Sequence, residues 1–144
     1  MFSYREQELL QEICKNSKAA LLDIHTVLGK VHDEELAYDL NRQAARYSRI
    51  EEKAQDRLLE QGVVPEPVGI LERTRRWASW QTSTAFNVST EHVAGMLLRE
   101  ERDRRERLRS ILKQRGDVTD TATEMAAEFL DFESESMRIL QTYL

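Results

Sequence analysis

Both prolines of this 144-residue chain, Pro65 and Pro67, stand in one short stretch, Val63–Pro67, and only five glycines are spread over the whole sequence. Proline removes a backbone donor and glycine loosens the backbone, so their scarcity leaves long runs in which nothing interrupts a helical hydrogen-bond ladder. Within those runs the apolar residues recur at spacings of three and four, and no run alternates with the period of two that a half-buried strand requires. The pattern predicts an all-α chain.

The first helix is expected from about Tyr4 to Leu28, on a stripe of Leu10, Cys14, Ser17, Leu21, Ile24, Leu28 and Val31 in which Ser17 is the one polar intruder. Gly29 supplies a stop. The second is expected to start at Asp33, an N-cap residue followed by Glu34 and Glu35, which favour the positive end of the helix dipole. Its stripe runs through Leu36 or Ala37, Leu40, Ala44, Tyr47, Glu51, Ala54 and Leu58 to a stop at Gly62. After the prolines comes a shorter helical segment with Ile70, Leu71, Thr74, Trp77, Ala78 and Trp80. It either ends before the start signal Asn87–Thr90 or runs on into the next helix, and the signal, with Ser89 as cap, favours a break. The next helix spans Ser89 to Arg115 on Val93, Leu97, Glu101, Arg104, Leu108 and Ile111, and stops at Gly116. The last runs from about Thr121 to Tyr143, with Thr121-x-x-Glu124 read as a capping box. Its stripe is Met125 or Ala126, Phe129, Glu133, Met137, Leu140 and Tyr143 or Leu144. Four long helices of matched length with short connections predict an antiparallel up-and-down four-helix bundle, one domain over residues 1–144, with an additional short helical segment at about 68–86.

Charge bounds the partners. The chain carries −5 overall, a poor starting point for binding nucleic acid or an anionic membrane. The basic run LREERDRRERLR (98–109) looks like an exception. Yet the helix that carries it is followed at once by Gly116–Leu144, which holds seven acidic residues and one basic one. The two must lie side by side, so the basic helix is expected to face an acidic neighbour. The lone cysteine, Cys14, excludes an intrachain disulfide and fits a reducing compartment. The N-terminal MFSYREQELLQEICK has charges where a signal peptide needs an apolar stretch, and no run approaches the length of a membrane span. A cytoplasmic protein is expected.

Charged residues at stripe positions are the candidates for chemistry. Glu51, Glu101, Arg104 and Glu133 all fall where apolar side chains belong, and unpaired burial would cost several kcal/mol each. Folding the last two helices together brings Arg104 opposite Glu133. One reading is a structural polar core: Arg104 paired with Glu133, and Glu51 hydrogen-bonded to Tyr47 or another neighbour. The other is a carboxylate metal site formed by Glu51, Glu101 and Glu133, as in di-iron helical bundles. Such sites use Glu-x-x-His on two helices; here Leu22, Gly29 and Ser89 stand three residues before His25, His32 and His92, so the motif is missing, and Arg104 on the same stripe opposes a cation. No phosphate loop, nucleophile elbow or zinc spacing is present. Cys14 reads as a small core residue, His92 as a capping or surface residue. In Glu72–Trp77, Arg73, Arg75 and Arg76 accompany Trp77 and Trp80; Trp77 has core spacing, and the functional alternative is a partner surface of Trp77, Trp80, Arg75 and Arg76.

The stretch WASWQTSTAFNVSTEHVAGM (77–96) and the end FLDFESESMRILQTYL (129–144), with the leading helical hairpin, resemble a group of small uncharacterised helical proteins of anaerobic Gram-positive bacteria. The likeness rests on Trp77, Thr82 to Thr84, Asn87, Ser89, Thr90, His92, Phe132 and Glu133. It implies a single helical domain of ferritin-like appearance and brings no activity, cofactor or binding residue. The chain departs from the group after Met96, where small neutral residues give way to the Arg/Glu run, so a site common to the group would not depend on Glu101 or Arg104. The expected function is association with itself or a protein partner, with no cofactor and no catalytic residue assigned. A carboxylate metal protein and, more weakly, a nucleic-acid binder through the Arg-rich helix are the alternatives.

Overall fold

The computed structural model describes residues 3–116 and 120–144. Five helices follow in order: α1 (Tyr4–Leu28), α2 (Glu34–Glu60), α3 (Ile70–Thr84), α4 (Thr90–Arg115) and α5 (Thr121–Gln141). There is no strand among the described residues. The expected turn between the last two helices falls at 117–119, outside them.

Each long helix begins where a side chain satisfies an orphan amide of its first turn. Ser3 Oγ accepts from the Glu6 amide (3.0 Å), Asp33 from Leu36 (2.9 Å), Ser89 from His92 (3.2 Å) and Asp120 from Thr123 (2.8 Å). The cap of α5 is therefore Asp120, one residue before the expected capping box at Thr121. An aspartate cap wins because its carboxylate also binds the Arg115 guanidinium that closes α4. The Ser89 cap separates α3 from α4, so residues 68–115 form two helices. Gly62, with φ at 74°, ends α2 in the left-handed region that glycine enters without strain, and the Val63 amide returns to the Leu58 carbonyl at 2.9 Å. The proline segment is then fastened to α1. Gln11 Nε2 donates to the Val64 carbonyl (3.1 Å), Gln11 Oε1 accepts from the Glu66 amide (2.8 Å), and Lys15 pairs with Glu66 at 2.8 Å.

α1 packs against each of the other four helices, and α5 also against α2 and α4. The buried apolar residues form one continuous cluster, from Leu9, Leu10 and Ile13 through Leu36, Leu40 and Leu58 to Leu108, Phe129 and Leu140. Each such side chain contributes about 1.5–3 kcal/mol by leaving water. No helix among the described residues is long and apolar enough to cross a membrane.

Candidate functional site

All five helices send polar side chains into this apolar interior, where they form one connected group. α1 supplies Asp23, α2 Tyr47, α3 Arg76 and Trp80, α4 Glu101 and Arg104, and α5 Glu133 and Ser136; each of the eight is nearly or fully buried. The Tyr47 hydroxyl donates to Glu133 Oε2 at 2.7 Å and lies 3.4 Å from Glu101 Oε1. Ser136 Oγ donates to the same Glu101 oxygen at 2.7 Å. Arg104 sits between two carboxylates, its Nε 3.5 Å from Glu133 Oε2 and an Nη 3.6 Å from Asp23 Oδ2. Asp23 is further held by an Arg76 Nη at 2.9 Å and by the Trp80 indole N–H at 3.0 Å. The Tyr47 ring meets Phe132 edge-on at 4.7 Å.

Proton counting gives this group its electrostatic state. Three carboxylates face two guanidinium groups, so full ionisation would leave a net negative charge in a dry interior. Tyr47 has one proton, and the 2.7 Å bond to Glu133 takes it. The 3.4 Å approach to Glu101 then sets lone pair against lone pair unless Glu101 carries a proton of its own. Burial does push Glu101 up, to about 8, over the opposing pull of Arg104 and with the help of the Glu133 charge. Burial also raises Glu133 and Asp23, in each case against neighbouring arginines. Tyr47 is held neutral, its pKa raised first by burial and then by the two glutamates. For Arg104 burial opposes the charge, but Tyr47, Glu133, Glu101 and Asp23 together outweigh it and the pKa is raised. Near neutral pH Glu101 therefore keeps its proton beside Arg104 and Glu133, which lessens the negative charge the interior has to hold.

The sequence candidates divide as follows. Arg104 does meet Glu133, and Glu101 joins them through Tyr47. Glu51 does not join: it is half-buried and accepts from Gln55 Nε2 at 2.9 Å, while the Tyr47 hydroxyl is spent on Glu133. The expected convergence of Glu51, Glu101 and Glu133 is thus corrected to a pair of glutamates with Arg104 beside them, and among the described residues no group of three or more His, Cys, Asp and Glu has the geometry to hold a metal. The guanidinium fills the place where a cation would neutralise the carboxylates. Asp23 and Ser136 carried no sequence signal as stripe residues, because Asp23 flanks the expected stripe of α1 and Ser136 that of α5.

The expected partner surface is split. Trp80 is 3 % exposed and bonded to Asp23, and Arg76 is buried beside it, whereas Trp77, whose spacing also fitted a core position, is 58 % exposed, and Arg75 is exposed with it. The reason is polar. A helix that must deliver a guanidinium and an indole N–H to a buried carboxylate turns that face inward, and Arg76, Trp80 and Thr84 share it at spacings of four. α3 consequently shows water Ile70, Leu71 and Trp77, with Phe86 just beyond its end, and between them the exposed Arg73 and Arg75. Leu22, Ile70 and Trp77 line a cavity of about 360 Å³ along this face.

Among the described residues the expected charge match between α4 and α5 is seen in the buried Arg104–Glu133 pair and in Arg115–Asp120 at the turn. On the surface, Glu128 of α5 pairs instead with Lys53 of α2, at 3.2 Å. Cys14 is buried and its thiol is pushed up to about 12, chiefly by burial, so it is inert as a nucleophile. His92 donates from its ring to the Ser83 carbonyl at 2.9 Å, tying the loop between α3 and α4. No protein-family model, curated protein or solved structure matches this chain.

Proposed function

We propose that the chain is a non-catalytic, cytoplasmic interaction module. In this reading α1, α2, α4 and α5 form an antiparallel up-and-down bundle, α3 is strapped across it by Asp23, and the outer face of α3 docks a protein partner. One observation carries it: α3 buries Arg76, Trp80 and Thr84 and leaves Ile70, Leu71 and Trp77 in water. An exposed set of Ile70, Leu71, Trp77 and Phe86 on one short helix and its exit loop marks an interaction site. The buried polar group supports the non-catalytic part, because Tyr47, Glu101, Arg104 and Glu133 are each at most 2 % exposed and their charges face one another.

Charge selects the partner. Arg73 and Arg75 are exposed on this face, whereas the acid of the same helix, Glu72, is tied to Arg76. Two copies joined α3 to α3 would oppose like charges, so the better occupant is an amphipathic segment of another protein, apolar along one face and acidic at its flanks. A helical peptide with Leu and Phe on one face and Glu on the flanks should bind, shift Trp77 emission to shorter wavelength, and weaken with salt. Trp77→Glu should abolish the binding and leave the circular dichroism intact. Equal binding of the same peptide with Lys flanks, or a stable dimer in light scattering that Trp77→Glu dissolves, overturns the reading.

A further inference from the structure

Away from α3, a groove between α2 and α5 carries three arginines that no carboxylate claims. Arg42, Arg46 and Arg49 follow one another by four and three residues, which puts them on one face of α2. They line a cavity of about 360 Å³ with Phe132 and Ser136 of α5. None of the three has an ion pair among the described residues, in a protein whose net charge is −5. Two are instead held by aromatic rings: the Arg46 guanidinium lies 5.1 Å from the Phe132 ring centre, and that of Arg42 lies 5.9 Å from Tyr38. Stacking fixes a guanidinium while leaving its N–H edge free to bind.

The second observation is Gln43. It lines the same cavity, is 4 % exposed, and neither its amide nitrogen nor its amide oxygen has a hydrogen-bond partner. A buried amide with both ends unmet is costly, and here it stands beside a cationic rim. The other polar groups of the groove are occupied or peripheral. Ser136 gives its hydroxyl proton to Glu101, and Asp39 accepts from Tyr143. Glu135 is exposed on the α5 side, where it leaves the arginines in the majority.

We propose that this groove binds a phosphorylated small molecule of the nucleoside diphosphate class. Phosphate oxygens would take the guanidinium edges of Arg42, Arg46 and Arg49, in the bidentate manner that planar donors favour. The heterocycle would satisfy Gln43, whose amide offers a donor and an acceptor side by side, as a base edge does. The cavity falls at the small end of ligand pockets, of order 300–1,000 Å³, which suits one nucleotide. The site shares no residue with the α3 face.

The test is isothermal titration of the full chain with ADP, GDP, CDP, UDP and pyrophosphate at low ionic strength. At least one nucleoside diphosphate should saturate one site per chain, more tightly than pyrophosphate. Arg46→Gln and Arg49→Gln should each weaken it about tenfold or more, and Gln43→Leu should weaken the nucleotide while sparing pyrophosphate. The arginines are exposed, so those variants should fold as the parent does, and thermal melts of all three check it. The proposal is overturned if none of the five probes binds, if the arginine variants bind as the parent does, or if pyrophosphate matches every nucleotide and Gln43→Leu changes nothing.

Discussion

The Tyr47 hydroxyl donates to Glu133 across 2.7 Å of interior in which both side chains have no measurable exposure. This bond joins α2 to α5 and decides where the protons of the group reside. Tyr47→Phe keeps the ring contact with Phe132 and removes only the donor, leaving Glu133 Oε2 with Arg104 Nε alone, at 3.5 Å. The variant should lose about 1–3 kcal/mol of stability in urea titration at neutral pH, with an unchanged m-value. A loss under about 0.5 kcal/mol would mean that Glu133 is satisfied without the phenol.

Glu101 makes stability depend on pH with a definite sign. Its folded pKa, about 8, lies above the ordinary 4.5, so between those values folding takes up a proton. The contribution is complete below the lower value and is lost as pH rises through the upper one, with a slope of up to about 1.4 kcal/mol per pH unit. Glu133 and Asp23, also raised, act in the same direction, while Asp120, lowered mainly by its bonds to Arg115 and Thr123 against burial, acts only below its ordinary 3.8. Stability should therefore fall from pH 5 to pH 8. Glu101→Gln, which still accepts from Ser136, should flatten that decline; an equally steep slope in the variant would place the proton elsewhere.

Arg104 is the guanidinium that faces Glu133, so its removal strands that buried carboxylate, while Asp23 keeps Arg76 and Trp80. Arg104→Met should cost about 3–5 kcal/mol at neutral pH, the range for breaking a buried pair. The loss should shrink toward pH 5 as the carboxylates protonate. The double variant Arg104→Met, Glu133→Gln should recover much of it, giving a coupling energy above about 0.5 kcal/mol in a double-mutant cycle. Strict additivity would show that the 3.5 Å approach contributes nothing.

How far the sequence reaches is visible in these same residues. The helices were legible because breakers are few and caps are specific: Asp33 and Ser89 start α2 and α4 as their side chains predict. The Arg104–Glu133 contact was legible because two charges on facing apolar stripes must meet or be solvated. Asp23 was not, because α1 is packed by helices on several sides and a flanking position on a two-helix stripe is interior there. The orientation of α3 was hidden for a related reason. Hydrophobic periodicity aims apolar residues inward, but one buried carboxylate needing an arginine and an indole turns that helix round. The spacing of Arg42, Arg46 and Arg49 is visible on α2, but the groove they share with Gln43 forms only when α5 is laid against α2.

The inverted α3 predicts opposite behaviour for its two tryptophans. Trp80 sits in the interior with its N–H on Asp23 at 3.0 Å; Trp77 stands in water. Trp80→Phe keeps most of the apolar area but leaves Asp23 one donor short, and should cost about 1–3 kcal/mol. Trp77→Phe touches nothing that the fold needs and should stay within about 0.5 kcal/mol of the parent. The spectra should divide in the same way. With Trp77 replaced, emission should move to shorter wavelength and become resistant to iodide, since only the buried indole remains. With Trp80 replaced, it should move to longer wavelength and be readily quenched. If the Trp77→Phe protein is the one that loses stability and quenching persists in it, α3 packs by its apolar face, and the docking surface and the Asp23 anchor fall together.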